Sequence, residues 1–160
     1  MDDLLIVEGN VTPLSSKTHI TYQFHIDEPA ACLDIAFAYS PKALEDREAS
    51  RRMILEAIDK YAEPSISELQ KQHWERFVPL QNLLTLSLDD PSGFRGSAHR
   101  HPPEQHHLLT EEQASPGFIA GPLPSGIWKL TLSIHCVVTP ECHYRLVVRK
   151  GGNADAMGTI

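Results

Sequence analysis

Residues 114–138, ASPGFIAGPLPSGIWKLTLSIHCVV, decide the fold. The first half is punctuated by Pro116-Gly117, Gly121-Pro122 and Pro124-Ser125-Gly126. Proline fixes φ and glycine accepts φ > 0 without a steric cost, so these pairs read as successive turns. From Ile127 the side chains alternate. Trp128, Leu130, Leu132 and Ile134 fall on one face, and Lys129, Thr131, Ser133 and His135 on the other. A period of two marks a strand with one face buried and one wet. Trp128 then reads first as a core anchor, because buried aromatics dominate core energetics.

A second alternating run follows at Cys142 to Arg149, with Tyr144, Leu146 and Val148 on one side. Thr139-Pro140-Glu141 between the runs predicts a β-hairpin. Cys136 and Cys142 would bracket its tip, as two free thiols or, in an oxidising setting, as a disulfide.

Upstream, Leu4 to Val11, Lys17 to Ile26 and Leu33 to Tyr39 read as three short strands separated by turn signals, the pattern of an antiparallel sandwich or barrel. The character changes at Ser40-Pro41, which reads as a helix start. Glu48/Arg52 and Glu56/Lys60 are favourable i,i+4 pairs. Met53, Ile54, Ala57, Ile58 and Tyr61 form an apolar stripe at helical spacing. Pro64 interrupts, and Ser65 with Glu68 predicts a capping box for a second helix carrying Ile66, Leu69, His73 and Phe77. Residues 41–79 are thus expected as a two-helix insertion. Asn82 to Leu88 restores the strand period, Asp89 to Gln105 reads as a loop, and His106 to Leu109 as a short strand. The expected architecture is mainly β. It is an antiparallel, jelly-roll-like β-sandwich of about seven to nine strands in one domain over 1–150, with a flexible tail at 151–160.

Composition excludes several functions. The chain has 160 residues, ample for one core, with 41% hydrophobic and 22% charged residues. A net charge of −7 with no basic stripe argues against nucleic acid as a partner. No apolar run reaches the roughly 20 residues that span a bilayer. The start lacks the basic residues of a signal peptide, and three cysteines make no disulfide framework. A soluble, cytoplasmic protein is expected.

Two blocks carry a family resemblance. One is residues 82–96, a Leu-rich strand followed by Asp90-Pro91-Ser92-Gly93-Phe94-Arg95-Gly96. The other joins Ser115-Pro116-Gly117-Phe118 and residues 121–128 to the Tyr144 strand. Together they resemble the N-terminal β-sandwich of carbaryl-hydrolase-type metallohydrolases of the polymerase-and-histidinol-phosphatase (PHP) superfamily. The resemblance is tight over 82–149 and loose before it. In that family a catalytic, metal-binding domain follows the sandwich, whereas this sequence ends at Ile160. The resemblance therefore implies an accessory or interaction module, partnered by a metallohydrolase domain or by itself, with no cofactor.

Other readings compete. His99, His101, His106 and His107 have spacings able to ligate a zinc-like divalent metal, the basis for a small metal-dependent hydrolase. The plainer reading is an exposed polar loop. Asp89, Asp90 and Arg95 could form a calcium- or sugar-binding edge, or a turn in which Asp caps amides and Arg95 pairs with it. A carbohydrate-binding module would need exposed aromatics, and most here sit at inward positions. The expected ligand or partner surface is the sandwich end bearing Arg95, His99, His101 and Trp128. No nucleophile elbow, P-loop or dinucleotide fingerprint is present.

Overall fold

A computed structural model describes residues 1–152. The strands are β1 (Asp2–Val11), β2 (Thr18–Ile26), β3 (Cys32–Ser40), β4 (Ala43–Leu44), β5 (Leu80–Gln81), β6 (Leu83–Asp90), β7 (Gly93–Ala98), β8 (Glu104–Thr110), β9 (Gly126–Cys136) and β10 (Cys142–Gly151). Two helices, α1 (Arg47–Tyr61) and α2 (Pro64–Gln72), lie between β4 and β5. The long strands form two antiparallel sheets, ordered β1-β10-β3-β8 and β2-β9-β6-β7. Most connections step from one sheet to the other, and this order is jelly-roll topology. The β4-β5 pair closes the base of the helical insertion.

The alternation of β9 carries the packing. Trp128, Leu130, Leu132 and Ile134 are all at most 1% exposed, and they share one core with Ile35, Phe37, Leu146 and Val148 of the other sheet. Tyr22 and Tyr144 hydroxyls meet at 2.5 Å, one from each sheet.

Four local expectations are corrected. The β9 and β10 runs are not a hairpin: β9 pairs with β2 and β6, and β10 with β1 and β3. Residues 137–141 instead cross between the sheets. Alternation reports which side chains point inward, and inward-facing strands of either sheet share the same pattern. Cys136 and Cys142 are free thiols, the first of the two states expected for them. The loop expected over 89–105 contains β7, hairpinned to β6 through Asp90, whose Oδ1 accepts from Ser92 N at 2.6 Å and Gly93 N at 2.9 Å.

The helix starts also move. Asp46, not Ser40, caps α1, its Oδ1 accepting from Ala49 N at 3.0 Å. In α2, Pro64 takes the first helical position behind Glu63, and no side-chain capping bond forms there. Surface ion pairs join Arg47 of α1 to Glu75 and Lys71 of α2 to Asp59 of α1, worth little each in water. Among the described residues no helix is long and apolar enough to cross a membrane. Gly151 closes β10, and the rest of the expected tail, from 153 on, lies outside the described residues.

Candidate functional site

The residues singled out from sequence separate into three places. Arg95 and Trp128 do meet, with the guanidinium carbon 5.4 Å from the indole centroid, but they meet inside the protein. Trp128 is fully buried, stacked on Phe24 at 6.2 Å and donating from Nε1 to Pro124 O at 3.0 Å. Arg95 is 6% exposed. Its Nε and Nη groups donate to the carbonyls of Ile119, Gly121 and Pro122, and Nη1 also pairs with Asp90 at 3.0 Å. The expectation of a ligand surface at Arg95 and Trp128 is corrected to a structural lock. Asp90 is used up in the same lock and in its own turn.

The lock holds the loop of residues 114–125 over one side of the sandwich. Ser115 bonds both ways with Leu108 of β8, N–H to carbonyl and Oγ to amide, each at 2.9 Å. Across the gap, Ser97 N donates to Gly117 O at 3.0 Å and Ile119 N to Arg95 O at 2.9 Å. The loop thereby stitches the two edge strands together, the covering that unpaired edges need. The approach is close enough to demand glycine. A Cβ on Gly117 (φ +94°) would stand 2.3 Å from Ser97 O, and one on Gly96 (φ +119°) 2.4 Å from Gly117 O.

The four histidines do not converge. His106 and His107 are neighbours on β8, so their side chains leave opposite faces. His106 points outward and bonds Asp34, while His107 is 4% exposed, packed 4.9 Å from the Phe118 ring. His99 meets the ring of His135 edge-on at 6.4 Å. The carbonyl of His101 accepts a long bond from the Tyr39 hydroxyl. Among the described residues no three His, Cys, Asp or Glu side chains are gathered as a metal site would require. The histidine-loop hydrolase loses its geometric basis.

His107 does have a consequence. Burial, then Arg100 and His106, pushes its pKa down to about 4. Nε2 donates to Gln105 Oε1 at 2.9 Å, which places the proton of the neutral ring on Nε2. Above pH 6.5 the group is neutral in folded and unfolded chains alike and adds no pH dependence. Below that, the unfolded chain takes up a proton the folded one refuses, so stability falls until about pH 4. Discounted for screening at the sheet edge, the expected loss is about 1–2 kcal/mol. Urea unfolding at pH 7.0 and 4.5 should record it, and His107→Gln should remove it.

The third place was visible in sequence only as an apolar stripe. α1 buries Ile54 and Ile58, but the stripe is wider than the face it buries. Met53, Ala57 and Tyr61, with Phe77, Leu80 and Val138, line a cleft of about 500 Å³ at the end of the sandwich. Tyr61 is 72% exposed and Phe77 47%. α2 buries no residue at all, leaving Ile66 and Leu69 exposed. Ile66 stands one helical turn from Gln70, which lines the cleft, so the apolar surface continues past the rim. In the sequence Met53, Ala57 and Tyr61 belong to a helical apolar stripe, open to packing or to pairing. The signal that distinguishes them is their excess over what a nine-residue second helix can cover.

No protein-family model matches the chain, and no curated protein is significantly similar to it. Among solved structures, one from Sulfurospirillum deleyianum aligns over 92% of this chain and 99% of its own, at 6% identity and a TM-score of 0.32. That likeness is too low to transfer fold or function.

Proposed function

We propose that this protein is a non-catalytic β-sandwich module that docks a protein partner through the apolar cleft of its helical insertion. The observation that carries the reading is the cleft itself, together with exposed apolar side chains that continue beyond it onto α2. A small ligand is usually enclosed by its pocket. Here the apolar surface runs on outside the cavity, and an extended exposed patch of this kind marks a protein interface. The resemblance of residues 82–96 and 115–128 to the sandwich of PHP-type metallohydrolases makes a metallohydrolase domain the partner class.

A photo-crosslinking amino acid at Tyr61, introduced in the protein's own cells, tests this. The expected adduct contains a metallohydrolase chain and disappears with Ala57→Arg. Ala57 is exposed on α1 and arginine is a good helix former, so that variant blocks the cleft without disturbing the fold. An adduct between two copies of this chain, or none, would overturn the reading.

A further inference from the structure

We propose a second site, an oxyanion-binding groove on the outer face of the β1-β10-β3-β8 sheet, taking a carboxylate or a phosphate monoester. It does not depend on the cleft. The register aligns Glu8, Arg145, Ala38 and Glu104 in one row across the sheet, and Ile6, Val147, Ala36 and His106 in the next. Ala36 and Ala38 offer only methyl groups on the central strand, so a trough runs along β3. Its walls are Arg145 and His143 of β10 on one side, and Glu104 and His106 of β8 on the other. Two cavities of about 420 and 610 Å³ share Ala38, Glu104 and Arg145 and form one groove.

Lys42 lines the larger of the two cavities. Its Nζ lies 2.8 Å from the Tyr39 hydroxyl and 2.8 Å from the Asn82 carbonyl. Both partners are neutral and belong to buried residues, so the ammonium is pinned without being neutralised. Among the described residues it has no carboxylate within ion-pair distance. An ammonium has three N–H donors, and two are spent. Arg145 meets Glu8 from Nε at 3.3 Å in a half-exposed pair, and its guanidinium carries five N–H donors in a fork of the kind that grips oxyanions. Lys42, Arg145 and Glu104 line the larger cavity, and Glu8 meets Arg145 from the neighbouring strand, so Lys42 is the cation there without a carboxylate partner among the described residues. An ammonium held in place without a counter-ion, beside a guanidinium that can exchange Glu8 for a ligand, is what an oxyanion site requires.

Titrating the labelled protein with inorganic phosphate and, separately, with succinate tests the site by amide and arginine Nε NMR shifts. Chloride at matched ionic strength is the control. Saturable shifts at Ala38, Ser40 and Arg145 are expected, and the tighter of the two probes distinguishes phosphate ester from carboxylate. Arg145→Gln should weaken binding at least tenfold. Glu8→Gln should tighten it severalfold by releasing the guanidinium, an effect that a merely structural Arg145 would not produce. Lys42→Met should also weaken binding tenfold, and if it unfolds the chain, the Arg145 and Glu8 variants decide alone. Shifts that follow ionic strength, or that survive Arg145→Gln, would overturn the proposal.

Discussion

Arg95→Ala is expected to lower the free energy of unfolding by about 4 kcal/mol, the range found when one partner of a buried ion pair is removed. The side chain sits 6% exposed over Trp128. It spends three nitrogens on Ile119 O at 3.1 Å, Pro122 O at 2.7 Å, Gly121 O at 3.1 Å and Asp90 Oδ2 at 3.0 Å. Truncation leaves the Asp90 carboxylate, whose side chain is 12% exposed, without its counter-ion. It also strips three loop carbonyls of donors and opens a void above the indole. Arg95→Lys keeps a charge but not the fork, so it should recover only part of the loss. Asp90→Asn separates the ion pair from the loop bonds, and a smaller loss is expected because the three carbonyl contacts survive. Chemical denaturation gives the energies. Hydrogen exchange locates them: amide protection at Ser97 and Ile119 should collapse in Arg95→Ala before the β9 core opens. A loss under about 1 kcal/mol would mean that the backbone bonds to β7 and β8 hold the loop without the guanidinium.

The same residue marks where the sequence stops being legible. Alternation located the inward faces of β2, β3, β6, β9 and β10, because a two-residue period follows directly from the pleat. It passed over β7, whose buried residues are Arg95, Gly96 and Ala98, none of them a large apolar side chain. Arg95 is buried only because carbonyls 24 to 27 residues downstream satisfy it, and no local pattern encodes a bond of that length. The histidines are the opposite case. His106 and His107 are adjacent on a strand, so their divergence could be read from the sequence once that strand was placed. The cleft lies between these extremes. Its residues were recognised as a helical stripe, but whether a stripe is covered depends on what packs against it, and α2 is too short and too exposed to do so.

The sequence shows Asn82 only as the start of a strand, yet Asn82→Ala is expected to cost about 3–4 kcal/mol, the sum of several buried groups left unsatisfied. Its side chain is fully buried. Nδ2 donates to Pro41 O at 2.9 Å and Thr139 Oγ1 at 2.8 Å, and Oδ1 accepts from Val138 N at 2.7 Å. Its backbone is engaged as well, N–H to Lys42 O at 2.8 Å and carbonyl to Lys42 Nζ. Three remote stretches therefore meet on one amide: the entry to the helical insertion, its exit, and the crossover from β9 to β10. Leu80 and Val138, which flank this junction, line the cleft, so its loss should loosen the partner surface as well as the fold. Asn82→Asp sharpens the test. The shape is kept and Val138 N–H keeps its acceptor, but an ionised carboxylate cannot donate to Pro41 O and would be buried against it. Burial then raises the folded-state pKa of the new acid above its unfolded value. The protonated acid can donate, so the deficit relative to the parent chain should be smallest below about pH 4 and grow as pH rises. Urea midpoints for both chains across pH 3.5 to 7 measure this. A deficit that stays constant with pH would show that the amide is not donating there, and that the junction is held by Lys42 and the backbone instead.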